Sequence, residues 1–194
     1  MAANAVLVPA MAISIVDASV SADTAADTAT DPAGPALSPS ASSFGLTCFA
    51  IAIAESVYNY GGKSVLTYQN EALKKRIMPL AERIESKHVY ECDVQDYSQL
   101  PSFFKNVEEK FGKLDFLVHA VAFSDKEELK GGYVETTKDN FLKTLEISCY
   151  SFTRLIKEAL PHLNDNASLL TLSYYGAEKV IPHYNVMGVA KSAL

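Results

Sequence analysis

Apolar positions from residue 48 onward fall into blocks that predict helices and strands in turn. The block at 70–86 places apolar residues at spacings of four and three, which is typical of one buried helix face, although Pro79 predicts a kink or an early stop. Short β-branched or continuously apolar runs between the helical blocks predict strands. The predicted helices cover 48–60, 70–86, 97–112, 138–160 and a last segment opened by Pro182, and the predicted strands cover 64–68, 88–92, 114–123 and 167–173.

Strands that alternate with helices of this length predict βαβ units, and therefore a parallel sheet with helices on both faces. Because such crossovers are right-handed, the most economical fold is an α/β, Rossmann-like, doubly wound sheet. Ligands of these sheets bind beyond the carboxyl ends of the strands. The candidate site therefore consists of four strand ends, at 67–69, 92–94, 120–122 and 173–174.

The first 43 residues differ in composition from the rest, because 31 of them are Ala, Ser, Pro, Asp or Thr and the first basic residue is Lys63. Such a segment buries too little apolar surface to offset its ordering entropy. We therefore predict a disordered leader over 1–45 and a partial dinucleotide-binding domain over 46–194. Two other interpretations of the apolar run at 5–16 stay open: a strand from Ala12 to Val16, or a secretory signal without the usual basic residues before it.

The overall composition, with 194 residues, 48% hydrophobic residues and a net charge of −6, is that of a globular domain. An acidic balance argues against nucleic acid or an anionic membrane surface as a partner, and we find no apolar run long enough to predict a transmembrane helix. Three Cys without a CxxC pattern suit a reducing compartment, so we expect a cytoplasmic protein. The four His show no metal-ligand spacing; we expect no metal site, and a solvated or hydrogen-bonded state for each His.

Tyr184 and Lys191 are candidates for chemistry because two helical turns separate them, which would place both on one face of a helix. An ammonium near a phenol favours the phenolate and can also donate hydrogen bonds to a ribose. The pair could thus be a proton donor or oxyanion stabiliser beside a cofactor, or merely a surface Tyr and Lys. Asp93 could accept from an adenine amine or a ribose, or cap a helix, and Gln69 by itself indicates little.

The run at 169–194, LLTLSYYGAEKVIPHYNVMGVAKSAL, carries Tyr174, Tyr184 and Lys191 in a Y-x9-Y-x6-K register. It resembles the NADH-dependent enoyl-acyl-carrier-protein reductases of bacterial fatty-acid synthesis. A general short-chain carbonyl reductase is the weaker alternative, because ordinary short-chain dehydrogenases carry Y-x3-K. The segments LTYQNEALKKR, CDV and DFLVHAVAF are similar to the same reductase family, and the resemblance covers about Ala50 to Leu194.

The resemblance implies that NADH delivers hydride to the β carbon of a trans-2-enoyl thioester on acyl carrier protein. The implied catalytic residues are Tyr184 at the thioester oxygen, Lys191 at the nicotinamide ribose, and Tyr174 along the acyl chain. The implied substrate-binding residues are Phe123, Tyr174 and Tyr184. The implied NADH-binding residues are Cys48, Phe49, Gln69, Asp93, Val94, Ala120, Val121, Ala122, Ser173 and Lys191. The resemblance also implies a homo-oligomer, which is a tetramer in the family.

The chain departs from the family pattern at both ends. The family begins with a strand and a loop resembling GLITG-x-x-x-x-x-SIA, where this chain has SSFGLTCFA, with Cys48 at the Ser and Phe49 at the Ile. We therefore expect the central strand to be missing unless Ala12 to Val16 replaces it through a long loop. The strands that follow Lys191 in the family are also missing, so we expect an incomplete sheet. A catalytically inactive fragment or fusion that at most binds or associates is the alternative function.

Overall fold

The computed structural model describes residues 11–16, 45–60 and 62–194, and for 11–16, 45–49 and Arg76 it describes the backbone alone. The described strands form one parallel sheet in the order β3-β2-β1-β4-β5. They are β1 (Met11–Val16), β2 (Lys63–Tyr68), β3 (Val89–Glu91), β4 (Leu114–Ala120) and β5 (Leu163–Thr171). The described α-helices are α1 (Gly45–Asn59), α2 (Glu71–Arg83), α3 (Leu100–Phe111), α4 (Lys126–Leu129), α5 (Lys138–Leu145), α6 (Ser151–Ala159) and α7 (Asn185–Ser192). The predicted parallel α/β fold is confirmed.

β1 is the central strand of the sheet. It pairs in parallel with β2 on one side and with β4 on the other, so that Ile13 lies between Val65 and Leu117. A gap between β2 and β4 would leave two facing rows of backbone N–H and C=O groups unpaired, and the apolar run from Met11 fills that gap. The strand at Ala12 to Val16 therefore takes the place of the family's first strand, one of the alternatives left open above.

The position of β1 corrects the predicted division of the chain. The predicted leader, 1–45, includes a strand that lies at the centre of the sheet, so a boundary at residue 45 does not separate leader from domain. A run of six residues, five of them apolar, is sufficient for a strand once partners on both sides supply its hydrogen bonds. The remainder of the predicted leader, 1–10 and 17–44, lies outside the described residues.

Helices cover both faces of the sheet, as a doubly wound fold requires. On one face, Leu117 of β4 packs in a fully buried cluster with Phe104 of α3 and Leu155 of α6. On the other face, Leu66 of β2 packs with Ala54 of α1 and Ile77 of α2. The sheet therefore has a hydrophobic core on each side, and its carboxyl edge is free to carry polar residues.

Two predicted helices differ from the structure. The helix α2 does not stop at Pro79, since it continues to Arg83; its N-cap Asn70 accepts a hydrogen bond from Leu73 N at 3.1 Å, and its apolar face is buried. The predicted helix over 138–160 is interrupted by a π-helical segment, Glu146–Tyr150, between α5 and α6. One added residue per turn cannot be detected in a hydrophobic period, so the sequence does not predict this segment.

The last helix begins later than predicted. Pro182 lies in a turn, and α7 starts at Asn185, after His183, whose φ of 61° lies outside the right-handed helical region. Tyr184 is consequently the N-cap residue of α7 and not a residue of its first turn. Within the described ranges, no helix is both long and apolar enough to cross a membrane.

We predict that Leu117→Ala lowers the free energy of unfolding by about 2–5 kcal/mol, because it leaves a cavity in the core between β4, α3 and α6. Leu160→Ala is the matched control, since Leu160 is 59% exposed and follows α6. Urea unfolding of the three proteins measures both effects. Equal losses of stability in the two variants would contradict the packing described here.

Candidate active site

Because all five strands are parallel, their carboxyl ends meet at one edge of the sheet. The predicted site residues at this edge form two groups. One group follows β2 and β3 and contains Gln69 and Asp93. The other follows β4 and β5 and is completed by α7, which brings Tyr184 and Lys191. Since β1 lies between β2 and β4, its carboxyl end separates the two groups.

The first group is a hydrogen-bonded pair of half-buried polar side chains. Gln69 Nε2 donates to Asp93 Oδ2 at 3.3 Å, and the backbone N–H of Gln95 donates to Asp93 Oδ1 at 2.9 Å. Asp93 therefore closes a turn after β3, and the helix-cap interpretation is wrong because Gln99 is the N-cap residue of α3. A carboxylate beside an amide presents acceptors and a donor that suit hydroxyl groups or an amine.

The second group is centred on Lys191, whose ammonium is buried. Lys191 Nζ donates to Val121 O at 3.1 Å and to Leu172 O at 2.9 Å, one carbonyl beyond the end of β4 and one beyond the end of β5. Ser173 Oγ donates to the backbone oxygen of Lys191 at 3.0 Å, so the last turn of α7 is tied to the same strand end. Burial lowers the pKa of Lys191 to about 8, so the ammonium is still protonated in most molecules at neutral pH.

Tyr184 lies against a glycine and a second tyrosine. Its ring centroid is 5.1 Å from that of Tyr174, and a Cβ on Gly176 would overlap the Tyr184 ring. A Cβ on Gly188 would likewise lie 2.9 Å from Gly176 O, so two glycines allow this close approach. The missing side chain of Gly176 thus provides the space that the ring occupies.

The expectation that Lys191 favours the phenolate of Tyr184 is wrong. Burial raises the pKa of Tyr184 well above its ordinary value of 10.0, and the neighbouring Tyr174 raises it further. The prediction considered the spacing of the two residues and not the desolvation of the phenol, which disfavours its charged form. Tyr184 is therefore a neutral phenol at neutral pH and can donate a hydrogen bond.

Phe123 is held by the π-helical segment that the sequence did not reveal. Its backbone N–H donates to Ser148 Oγ at 2.9 Å, and Ser148 Oγ donates to the backbone oxygen of Phe123 at 3.0 Å. Lys143 Nζ lies 4.6 Å from the centre of the Phe123 ring, within range for a cation–π interaction. Ser148 is thus a site residue that no motif in the sequence pointed to.

Asn185 is a second such residue. Its side-chain amide donates to the carbonyls of Leu129 at 3.1 Å and of Glu128 at 3.3 Å, and it also lies 3.4 Å from the carbonyl of Gly131. These bonds connect the start of α7 to the last residues of α4 and to Gly131 just beyond it. A cavity of about 420 Å³ lies beside α7, next to Tyr184, and its walls include Tyr133 and Ile181.

The remaining predicted NADH-binding residues differ in how accessible they are. Ser173 is exposed beyond β5, whereas four apolar residues are buried in the hydrophobic clusters: Val94, Ala120, Val121 and Ala122. Their contact with a cofactor stays a prediction. Cys48 and Phe49 lie in the first part of α1, and their side chains are outside the described residues. In the described parts of the chain, no group of three or more His, Cys, Asp or Glu could hold a metal ion.

The family model described as enoyl-(acyl carrier protein) reductase matches residues 46–194, which is more than half of the chain. The chain belongs to this reductase family. It is 52% identical to enoyl-[acyl-carrier-protein] reductase [NADH] 1 of Rhizobium meliloti over 145 residues, 75% of this chain and 53% of that protein. It is 43% identical to the reductase FabI of Aquifex aeolicus over 146 residues, 75% of this chain and 54% of that protein. The chain therefore spans about half the length of the curated relatives it matches.

Solved structures of the reductase family share the fold. The structure from Anaplasma phagocytophilum, in complex with NAD, matches with a TM-score of 0.75 and 45% identity, covering 95% of this chain and 61% of that one. The Aquifex aeolicus enzyme matches with a TM-score of 0.75 and 35% identity, covering 95% of this chain and 64% of that one. The resemblance inferred from the Y-x9-Y-x6-K register is confirmed at the level of the family.

We predict that Gly176→Ala displaces the Tyr184 ring toward solvent, because the added methyl group and the ring cannot occupy the same space. The pKa of the Tyr184 phenol then falls toward 10.0, since its burial is the main cause of the raised value. NMR titration of the tyrosine ring carbons measures this pKa, with Tyr184→Phe identifying the resonance.

Gly132→Ala is the control for that experiment. A Cβ at Gly132 meets only a Val134 methyl group at 3.8 Å, and the backbone there has an ordinary φ of −85°. The Tyr184 pKa should be unchanged in this variant. A Gly176→Ala protein that retains the raised pKa would show that the glycine does not determine the position of the ring.

Proposed function

We propose that the protein is an NADH-dependent enoyl-acyl-carrier-protein reductase. The observation that carries the proposal is the arrangement beyond β4 and β5, in which a buried Lys191 and a neutral, desolvated Tyr184 lie at opposite ends of α7. The Tyr174 ring packs against that of Tyr184, and the family resemblance implies that Tyr174 lies along the acyl chain. The names of the relatives agree with this activity, and because the chain spans about half of their length, the activity is a proposal for this chain.

The cofactor we propose is NADH, and the polar residues at the sheet edge fit it. The Gln69 and Asp93 pair offers a carboxylate and an amide to the adenosine end. Ser173 is exposed beyond β5, and its hydroxyl, which donates to Lys191 O, can still accept a hydrogen bond. Lys191 would serve the nicotinamide ribose with its ammonium. NADH, when bound, supplies the hydride. The relatives are named as NADH enzymes, and one similar structure is a complex with NAD.

The reaction places a hydride on the β carbon and a proton on the α carbon of a trans-2-enoyl thioester, so that the double bond is saturated. Negative charge develops on the thioester oxygen when hydride adds. The Tyr184 hydroxyl would donate a hydrogen bond to that oxygen, and its raised pKa keeps the donor protonated across the neutral range. The Lys191 charge, held in a buried position, makes the same region electropositive.

The substrate we propose is the enoyl group carried by acyl carrier protein. Phe123 and Tyr174 would contact the acyl chain, as the family resemblance implies, and the Tyr174 ring lies 5.1 Å from that of Tyr184. We place the reaction in the cytoplasm. The thiols of Cys92 and Cys149 are free within the described residues, which is compatible with a reducing compartment.

We predict that Tyr184→Phe lowers kcat/KM by about 100-fold or more, because it removes the hydrogen bond to the developing oxyanion. Loss of NADH absorbance with a crotonyl thioester measures the rate. Tyr175→Phe is the control and should leave the rate unchanged, since Tyr175 is 61% exposed. Equal rates for Tyr184→Phe and the original chain would refute the role of Tyr184.

NADH binding is measured separately, by titrating the chain with the cofactor. Saturable binding without turnover would support the alternative, a catalytically inactive member that retains binding. Turnover with the crotonyl thioester would exclude that alternative.

We also propose that the protein is a homo-oligomer, as the family resemblance implies. Two apolar side chains of the long interrupted helix support this proposal, because Leu142 and Tyr150 are about half exposed. The occupant of this surface would be a second copy of the chain.

We predict that Leu142→Lys shifts the protein toward a smaller species in sedimentation velocity, because a charge would be buried at the contact between copies. The control is Val134→Lys, which is 86% exposed and lies outside this helix. A monomeric original chain at every concentration tested would disprove the oligomer.

A further inference from the structure

We propose that His119 is a positioning residue for Lys191. Its imidazole joins the ends of β4 and β5 to α6, so that the carbonyls of Val121 and Leu172 both lie within hydrogen-bonding distance of the Lys191 ammonium. His119 belonged to the residues expected to be solvated or hydrogen-bonded, with no functional role predicted. The inference deepens the proposed function, because it concerns the residue that would hold the nicotinamide ribose.

The His119 ring lies where two strands and a helix meet. His119 is fully buried and stands opposite Thr171 in the register of β4 and β5. Its Nδ1 lies 2.9 Å from Thr171 Oγ1, and its Nε2 lies 2.8 Å from Ser151 Oγ in α6. The backbone N–H of Leu172 also donates to His119 O at 3.1 Å. One side chain therefore connects two strands and a helix.

The donors and acceptors around the His119 ring determine which of its nitrogens carries the proton. Ser151 Oγ donates its single proton to the carbonyl of Ile147 at 2.6 Å, so toward the imidazole it can act only as an acceptor. Nε2 of His119 consequently carries the proton. Nδ1 accepts from the Thr171 hydroxyl at 2.9 Å, a shorter distance than the 3.4 Å from that hydroxyl to its other acceptor, His119 O. Every polar atom of the neutral ring then has a partner. Burial, followed by the nearby charge of Lys191, lowers the pKa of His119 to about 3, which keeps the ring neutral.

The His119 ring lies close in sequence to both carbonyls that bind Lys191. The carbonyls that accept from Lys191 Nζ belong to Val121, two residues beyond His119, and to Leu172, one residue beyond Thr171. The imidazole thus links β4 and β5 at positions that immediately precede the residues whose carbonyls accept from Lys191. Strand ends are the part of a sheet that opens most readily, so this connection determines how long the two acceptors stay together.

Loss of one acceptor changes the proton affinity of Lys191 in a definite direction. The two carbonyls stabilise the ammonium, whereas burial opposes it. The titratable groups that act on Lys191 within the described residues are His119 from β4 and the Cys149 thiol from the π-helical segment. The thiol pKa is raised by burial, so both groups are neutral at neutral pH. If the ammonium stays buried but loses one of these two acceptors, the charged form is less well stabilised and the Lys191 pKa falls.

The experiment compares Thr171→Val, which removes the hydroxyl at nearly constant volume, with Thr171→Ser, which keeps it. Nitrogen NMR of lysine-labelled chain without cofactor measures the Lys191 pKa, and Lys191→Arg identifies the resonance. We expect the pKa to fall from about 8 by about half a unit or more in Thr171→Val, and to stay unchanged in Thr171→Ser. An unchanged Lys191 pKa in folded Thr171→Val would overturn the inference, even if that variant were less stable.

A second variant tests the inference independently, in case Thr171→Val does not fold. Ser151→Ala removes the acceptor of the Nε2 proton from the other side of the ring, so it should lower the Lys191 pKa in the same direction; an unchanged value would again overturn the inference. The readout is independent of turnover. A chain that shows these shifts but does not reduce a crotonyl thioester would retain the inference and refute the proposed function, whereas turnover without the shifts would do the reverse.

Discussion

A buried ammonium that donates to one carbonyl from each of two adjacent strands is the interaction on which the rest of the site depends. Lys191 is 4% exposed, and an unpaired charge at such a position would cost several kcal/mol, roughly the stability of a small domain. The carbonyls of Val121 and Leu172 reduce that cost. Because α7 is short, fixing Lys191 at its end also fixes Tyr184 at its start, so the anchoring of one residue orients the other.

The same constraint explains why the sheet must be continuous. Val121 follows β4, and β4 is held in place on its other side by β1, the strand at Met11–Val16. The sequence predicts most of the helices and strands because their hydrophobic periods are long and regular. It predicts β1 only as one of several interpretations, because a run of six residues, five of them apolar, in an Ala- and Ser-rich segment has no distinctive period. Only partners from β2 and β4 decide that this run is a strand.

The site shows a similar division between what the sequence predicts and what it cannot. The strand ends follow from topology, since parallel strands must bring Gln69, Asp93 and Val121 to one edge. The protonation state of Tyr184 does not follow from the sequence. Its spacing to Lys191 carries no information on desolvation, whereas burial is the main cause of the raised pKa of the phenol. Ser148 and Asn185 escaped prediction because their partners are backbone groups distant in sequence, which no short motif encodes.

The Y-x6-K spacing has a structural explanation in the backbone around Tyr184. His183 and Asn185 have φ values of 61° and 35°, and non-glycine residues in this region cost on the order of 1 kcal/mol each. The hydrogen bonds from the Asn185 amide to carbonyls at the end of α4 offset part of that cost. The strain places Tyr184 before the helix, where its ring can fill the space at Gly176, while Lys191 two turns later still reaches the strand ends. A shorter spacing would keep the lysine and lose that position for the ring, so the backbone strain and the longer spacing are two aspects of one arrangement.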